Sequence, residues 1–343
     1  MLTWLWCGLV FAKKGTKTHD YPFVSVIVAA HNESHVVTKC LNALITQDYP
    51  HHNYEIIIVD DQSTDHTLER LKSLKTRQTI ILQNPRREKY HSSKKAALEW
   101  GILKARGPIL LFTDADCQPP PSWIKTMVSF FDASTGLVAG FSPQTARNAL
   151  LNRLLNIDAG AAAVVSAASI GWGRGITCTG RNLAYRKKAF DDIGGFNATP
   201  DSLSGDDDFM LQAISRHPGW KIKYALDVDA RVPAQGPDTV NRFLQQKNRH
   251  ISAGKHYPFV AKVLFAVYHI SNLLLWLSLL AAFFSFYFLL FFFVKFFVDF
   301  FILRFFLGHF SEKINKGFLV WELLFLYYNV IAGPFSFIKQ RIW

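Results

Sequence analysis

From Tyr21 to about Phe141 the chain alternates short, wholly apolar runs with stretches in which apolar residues recur every three or four positions. The runs Val24 to Ala29, Tyr54 to Val59, Thr79 to Leu82 and Ile109 to Phe112 have the length and β-branched content of buried strands. Between them, Val36, Val37, Cys40, Leu41 and Leu44 mark a helix from about Ser34 to Thr46. Leu68 and Leu71 mark a second, which Ser63 or Thr64 can cap, and Ser93 caps a third through about Leu103. Pro119-Pro-Pro-Ser122 opens a further helix at Trp123. Alternation of this kind predicts an α/β fold whose strands are joined by crossover helices.

The pattern changes near Lys255-His-Tyr-Pro258, beyond which Phe, Leu and Val dominate. Phe259 to Leu303 is apolar enough for two membrane helices with a turn near Ser285, since a span needs roughly 20 residues. A third candidate runs from Phe318 to Ile338. Lys262, His269, Lys295, Asp299 and Glu322 interrupt these stretches, and a charge in hydrocarbon is costly unless paired. Lys295 and Asp299 stand four apart, so a helix lets them neutralise each other as a structural pair. The apolar start, Met1 to Ala12, has about half the length of a span and is closed by Lys13-Lys14; it reads as an anchor remnant. The expected organisation is therefore a short apolar segment (1–20), a catalytic domain (21–257) and a membrane region of about three helices (258–343).

Lys13, Lys14, Lys17, Lys255 and Lys262 flank the globular part and place it on the cytoplasmic side of a cell inner membrane, in a multi-pass arrangement. The net charge of +12 carries no aromatic-interleaved basic stripe or DNA-binding motif, so nucleic acid is not expected as a partner. Attraction to membrane lipid headgroups accounts for it instead. Four cysteines at Cys7, Cys40, Cys117 and Cys178 show neither paired nor metal-type spacing, as in a reducing compartment.

Carboxylates at strand and loop ends carry the candidate chemistry. Glu33 follows the first strand, Asp60-Asp61 the second and Asp114-Ala-Asp116 the fourth, while Asp206-Asp207-Asp208 follows Gly205. Desolvation opposes an acidic group there unless a cation or donor meets it, and in open α/β sheets ligands collect at these carboxyl ends. Asp114 and Asp116, one residue apart, suit a hard cation that also holds phosphate oxygens. Asp60 and Asp61 can accept from a nucleobase or ribose. Asp206-Asp207-Asp208 either starts a helix favourably or supplies a general base. Among the basic residues Arg86, Arg87, Lys89, Lys94 and Lys95, one lysine of the last pair, taken as Lys95, can meet a diphosphate. No Gly-x-Gly-x-x-Gly follows the first strand and no P-loop is present, which disfavours dinucleotide enzymes and P-loop ATPases.

Taken in order, Val24-Ser-Val-Ile-Val-Ala-Ala-His-Asn-Glu33, Val59-Asp-Asp-Gln-Ser63, Asp114-Ala-Asp116, Gly180-Arg-Asn182, Gly205-Asp-Asp-Asp208 and Gln246-Lys-Asn-Arg249 resemble the motif series of family 2 glycosyltransferases, especially membrane-bound bacterial types related to polysaccharide synthases. The resemblance implies a GT-A fold, a Rossmann-like mixed sheet, and a nucleotide-diphosphate sugar donor with a preference for uridine. It implies Mg2+ or Mn2+ held by Asp116 and Asp114, with Ala30, Asn32, Glu33, Asp60, Asp61 and Lys95 around the nucleotide sugar. It assigns Asp207, with Asp206 second, as the base of an inverting displacement. Gly180, Asn182, Gln246, Arg249 and His250 would contact acceptor or diphosphate. His250 stands where processive synthases have Trp, which points away from polymerisation, and Ala29 replaces a common proline. The expected reaction is transfer to a lipid-linked or glycan acceptor at the membrane; about three helices are few for a private translocation channel, and an oligomer or partner membrane protein could supply the rest. A processive synthase and a non-catalytic assembly module are the alternatives.

Overall fold

The computed structural model describes residues 2–12, 20–85, 87–314 and 318–327. A seven-stranded mixed sheet forms its centre: β1 (Val24–Ala30), β2 (Tyr54–Asp60), β3 (Thr79–Gln83), β4 (Ile109–Phe112), β5 (Thr135–Gly140), β7 (Leu183–Arg186) and β8 (Lys221–Ala225), in the order β3-β2-β1-β4-β7-β5-β8. All neighbours are parallel except β7, which runs antiparallel to both β4 and β5. A two-stranded ladder, β6 (Gln144–Thr145) with β9 (Ala234–Gln235), sits apart. The four expected strands are β1 to β4, and the register pairing Ala30 with Asp60 puts the ends of β1 and β2 side by side.

Helices cover both faces, as the continuous apolar strands require. On one face Val26, Val28, Ile56, Ile58 and Leu111 pack with α2 (Val37–Ile45), α3 (Thr67–Ser73) and α5 (Trp123–Val128) through Leu41, Leu44, Leu71 and Trp123. On the other, Ile27, Ile57, Leu110 and Phe112 pack with α4 (Ser93–Lys104) and α6 (Ala149–Gly171). Full burial of each such Ile or Leu contributes about 1.5–3 kcal/mol. Two caps shift from their expected residues: Ser92, not Ser93, accepts from Lys95 N to start α4, while Ser63 and Thr64 bond Asn32, and α3 starts only at Thr67, whose N–H donates to Asp65.

The chain continues through α7 (Lys187–Asp192), α8 (Asp206–Arg216) and α9 (Val240–Ala253) into α10 (Phe259–Ala281), α11 (Phe288–Gly308) and α12 (Phe318–Tyr327). Ser285 lies in the turn between α10 and α11, as the hydropathy pattern predicts. α11 docks on the domain through Ile302, Leu303 and Phe306, which share the core that contains α6. Lys295 bonds Asp299 as expected, and Glu322 of α12 joins from the facing helix. Phe283 and Phe284, at the turn, are 89% and 93% exposed. By length and composition two described helices can cross a membrane, α6 and α10. Of these, α6 belongs to the globular part, and most of its apolar window is buried inside the protein. α11 carries Lys295, Asp299 and Arg304, and the third expected span and the flanking Lys13, Lys14 and Lys17 lie largely or wholly outside the described residues. The apolar amino terminus forms α1 (Leu2–Phe11), which crosses α6 so closely that a Cβ at Gly171 would lie 1.9 Å from Gly8 O.

Asn182, expected at the acceptor, is instead a keystone of the fold. It is fully buried, its Oδ1 accepts from Trp123 Nε1 at 3.0 Å, and its Nδ2 donates to Phe141 O at 2.9 Å and Ala230 O at 2.6 Å. Gly140 leaves it space, since a Cβ there would approach Asn182 Nδ2 to 2.4 Å. Leaving buried carbonyls and an indole N–H unpaired costs about 1–3 kcal/mol per group. Asn182→Ala is therefore expected to lower the stability of the domain by roughly 3 kcal/mol or more, read as a drop in thermal midpoint. An unchanged midpoint combined with a loss of transfer would identify Asn182 as a substrate contact after all.

Candidate active site

A cavity of about 1040 Å3 opens beside the carboxyl ends of the parallel strands. It brings together Lys94, Asp114, Gly180, the Asp206-Asp207-Asp208 triplet and, from α9, Gln246, Arg249 and His250. Four separate segments of the motif series thus meet in one space.

Gly205, with φ of 92°, turns the chain sharply into α8 so that the triplet forms the first helical turn. The left-handed region suits glycine alone among common residues, and a Cβ there would also strike Ala253 of α9 at 2.8 Å. The three carboxylates then diverge. Asp208 points inward: Oδ1 accepts from Thr177 Oγ1 and Cys178 N, both at 2.8 Å, and Oδ2 meets Tyr257 Oη. Burial and the neighbouring Asp207 push its carboxyl up to about 7. Asp206 accepts from Ser92 Oγ at 3.0 Å, while its Oδ1 is buried without a hydrogen-bond partner among the described residues. Burial raises it to about 6, against the pull of Lys95. Asp207 faces the cavity, with Oδ2 fixed by Gly180 N at 2.6 Å and Oδ1 by Asp208 N at 3.1 Å. The triplet is at once a helix start and a set of three carboxylates held in different directions.

At the end of β4, Asp114 Oδ1 accepts from Lys94 Nζ at 2.5 Å. Burial opposes its charge, but Lys94, Arg181 and Arg249 outweigh that and hold the Asp114 carboxyl below the ordinary range. Asp116 shifts the other way, because burial and Asp114 both disfavour its charge. Glu33, after β1, is raised to about 7 by burial and by Asp116 and Asp114, which locates it beside the Asp-x-Asp pair. Asp60 is fully buried, its Oδ2 accepting from Ser63 N at 3.3 Å and its Oδ1 without a hydrogen-bond partner among the described residues. Asp61 Oδ1 accepts from Asn84 Nδ2 at 2.8 Å. Asn32, in the left-handed region at φ 55°, ties the two strand ends together by accepting from Thr64 N at 2.9 Å. Ala30, Asn32, Glu33, Asp60, Asp61 and Asp116 stand at adjacent strand ends but outside the cavity lining.

Lys95 departs from its expected role. Its side chain is buried, donates to Pro200 O at 3.0 Å and lies 4.6 Å over the Tyr90 ring. Successive helical residues point about 100° apart, so the lysine that α4 turns to the cavity is Lys94. Arg181 also lines the cavity. The sequence signal for it is its place inside the Gly180-Arg-Asn182 motif, of which only the flanking residues were singled out. Asp158 of α6, which no motif marks, pairs across the cavity wall with Lys247 of α9, a residue inside the Gln246-Lys-Asn-Arg249 motif that was not singled out.

For a divalent cation, Asp114 and Asp116 supply hard carboxylate oxygens of the kind Mg2+ and Mn2+ take. Asp114 already carries the Lys94 ammonium, and burial together with Asp114 disfavours the charge of Asp116, so added positive charge beside the pair would be favourable. A tighter trio of ligand-type atoms, from Cys178, Asp207 and Asp208, lies within 4.8 Å. It suits a hard cation poorly, because Asp208 is saturated by protein donors and burial raises the Cys178 thiol well above its usual range.

Comparison with known proteins agrees with this geometry. The family model for glycosyl transferase family 2 matches residues 25–198, and that for glycosyl transferase family group 2 matches residues 145–333. Similar curated proteins include glycosyltransferase AglE of Haloferax volcanii, 37% identical over 115 residues, which are 33% of this chain and 36% of the relative. The beta-monoglucosyldiacylglycerol synthase of Synechocystis is 28% identical over 249 residues, 69% of this chain and 49% of the relative. The chain thus spans about half or less of the length of these relatives. The solved mannosyltransferase PcManGT from Pyrobaculum calidifontis, in complex with GDP-Man and Mn2+, superposes with a TM-score of 0.63 at 17% identity, over 99% of this chain and 95% of that one. That likeness establishes a GT-A-like mixed α/β fold. With more than half of its length matched to the family model and four of the ordered motifs meeting in one cavity, the chain belongs to glycosyl transferase family 2.

Proposed function

We propose that the protein transfers a sugar from a nucleotide-diphosphate donor, with UDP-sugars preferred, to a hydroxyl of a lipid-linked or glycan acceptor, with inversion at the anomeric carbon. One observation carries this reading: Asp207, clamped by two backbone N–H groups, faces the same cavity as the Lys94–Asp114 pair. A base and a diphosphate-binding end in one space are what a single displacement needs.

In this reading Asp207 takes the acceptor hydroxyl proton as that oxygen attacks the anomeric carbon. The bond from that carbon to the diphosphate breaks, and its electron pair leaves with the diphosphate oxygen. Lys94, Arg181 and Arg249 converge their charge on this end of the cavity, where preorganised cations stabilise a leaving anion. Asp114 and Asp116 would hold Mg2+ or Mn2+, which when bound supplies Lewis-acid neutralisation of the diphosphate. Asp60 and Asp61, at the neighbouring strand end, suit the nucleoside. The Mn2+ bound to PcManGT and the diacylglycerol product in the name of the cyanobacterial relative are in keeping with a metal and with a lipid acceptor.

A membrane setting is supported by α10 and by the phenylalanines at its turn, whose exposure to water is costly. His250 in place of a stacking aromatic favours single or few additions over processive synthesis.

Asp207→Asn keeps the shape of the side chain and removes the base. Transfer from a labelled nucleotide sugar is expected to fall by about 10²- to 10⁴-fold, and retention of wild-type turnover would remove Asp207 from the mechanism. Chelation of divalent ions should abolish transfer, with Mn2+ or Mg2+ restoring it in the wild type but not in Asp116→Ala. Full activity in chelator would exclude the metal.

A further inference from the structure

We infer that the ion pair between Asp158 and Lys247 positions α9, setting which of its side chains reach the reacting groups. The inference rests on the transferase reading of the same cavity. α9 is bound loosely to the body of the protein: of its described residues only Ala253, at its carboxyl end, is buried. There it meets Gly205, where an added Cβ would fall 2.8 Å away. At its start Thr239 merely caps the helix, accepting from Arg242 N at 3.3 Å.

The middle of α9 is tethered differently. Lys247 reaches Asp158, and the two side chains are only 20% and 10% exposed. Lys247 also lies 5.6 Å over the Phe243 ring one turn earlier. Asp158 is the sole acidic residue of α6, a helix that is otherwise largely apolar. A carboxylate in such a place is costly unless paired, so its presence asks for a purpose.

Buried ion pairs add little net stability, but they fix register because the unpaired alternatives are strongly disfavoured. Rotational register is what α9 needs. Each residue turns a helix by about 100°, and Lys247 and His250, three apart, share a face. Pinning Lys247 therefore fixes the direction of His250, about 60° round the helix from it, and of Gln246 and Arg249 successively farther round. All four line the cavity. Gln246 Oε1 is buried without a hydrogen-bond partner among the described residues, a group held ready rather than one serving the fold. Asp158 and Lys247 need not touch substrate to act in this way; they are positioning residues.

The test uses the full-length protein in lipid vesicles, with Asp158→Asn, Lys247→Met and the exchanged pair Asp158→Lys/Lys247→Asp. Each single variant should lower kcat for transfer by about tenfold, equivalent to ~1.4 kcal/mol, with the donor KM changed far less. Hydrogen exchange should quicken across residues 240–253 while β1 and β4 keep their protection. The exchanged pair should restore most of both. Single variants with wild-type kcat, or an exchanged pair as impaired as the singles combined, would overturn the inference. If Lys247→Met fails to fold, Lys247→Arg, which keeps the charge, should hold both kcat and α9 protection, and loss of either would count against the pair. Absence of any transfer in the wild type would instead refute the enzymatic reading, and the exchange measurement would still decide whether the pair holds α9.

Discussion

The desolvation of carboxylates at the ends of buried strands is the constraint from which the rest of this structure follows. Where a buried acid serves the fold, the protein supplies its partners in full. Glu55, near the start of β2, receives Ser25 Oγ at 2.7 Å and Arg106 N and Nε at 2.8 Å each. Asp208 is met by three donors. At the strand ends and around the cavity the accounting is left open: Asp60 Oδ1 and Asp206 Oδ1 have no hydrogen-bond partner among the described residues, Asp116 is raised by burial and Asp114, and Glu33 by burial, Asp116 and Asp114. Groups left in this state are stabilised by an incoming cation or donor.

The same principle separates positioning from chemistry within a motif. Of three consecutive aspartates, one is sealed against Tyr257, one leans on Ser92 and one is presented to the cavity. Of two consecutive lysines, one is buried under an aromatic ring and one is set on Asp114. A helix start sorts adjacent residues by direction, and direction decides which charge is free to face the cavity.

Much of the fold was legible because it rests on local pattern. Strands β1 to β4 and the helices between them follow from apolar runs and periodicity, and the α10–α11 turn at Ser285 follows from hydropathy. The antiparallel insertion of β7 was not legible, since it depends on pairing between residues far apart in the chain. α6 is rich in small residues, and its role as a shared wall between cavity, sheet and carboxyl-terminal helices is a tertiary property that no local pattern announces. For the site, motif order located Asp114, Asp207 and Gly180, but not the directions of Lys95 and Asn182. Those are fixed by the Ser92 cap and by the space that Gly140 leaves. Asp158 and Lys247 lie 89 residues apart, and no local signal joins them.

The central claim is that these acidic groups gather around a dication that grips a pyrophosphate. Titration calorimetry of nucleoside diphosphates into the full-length protein, with and without Mn2+, tests it directly. The account predicts binding that requires the metal and is lost in Asp116→Asn. Diphosphate binding of equal strength without metal, or none in its presence, would contradict it.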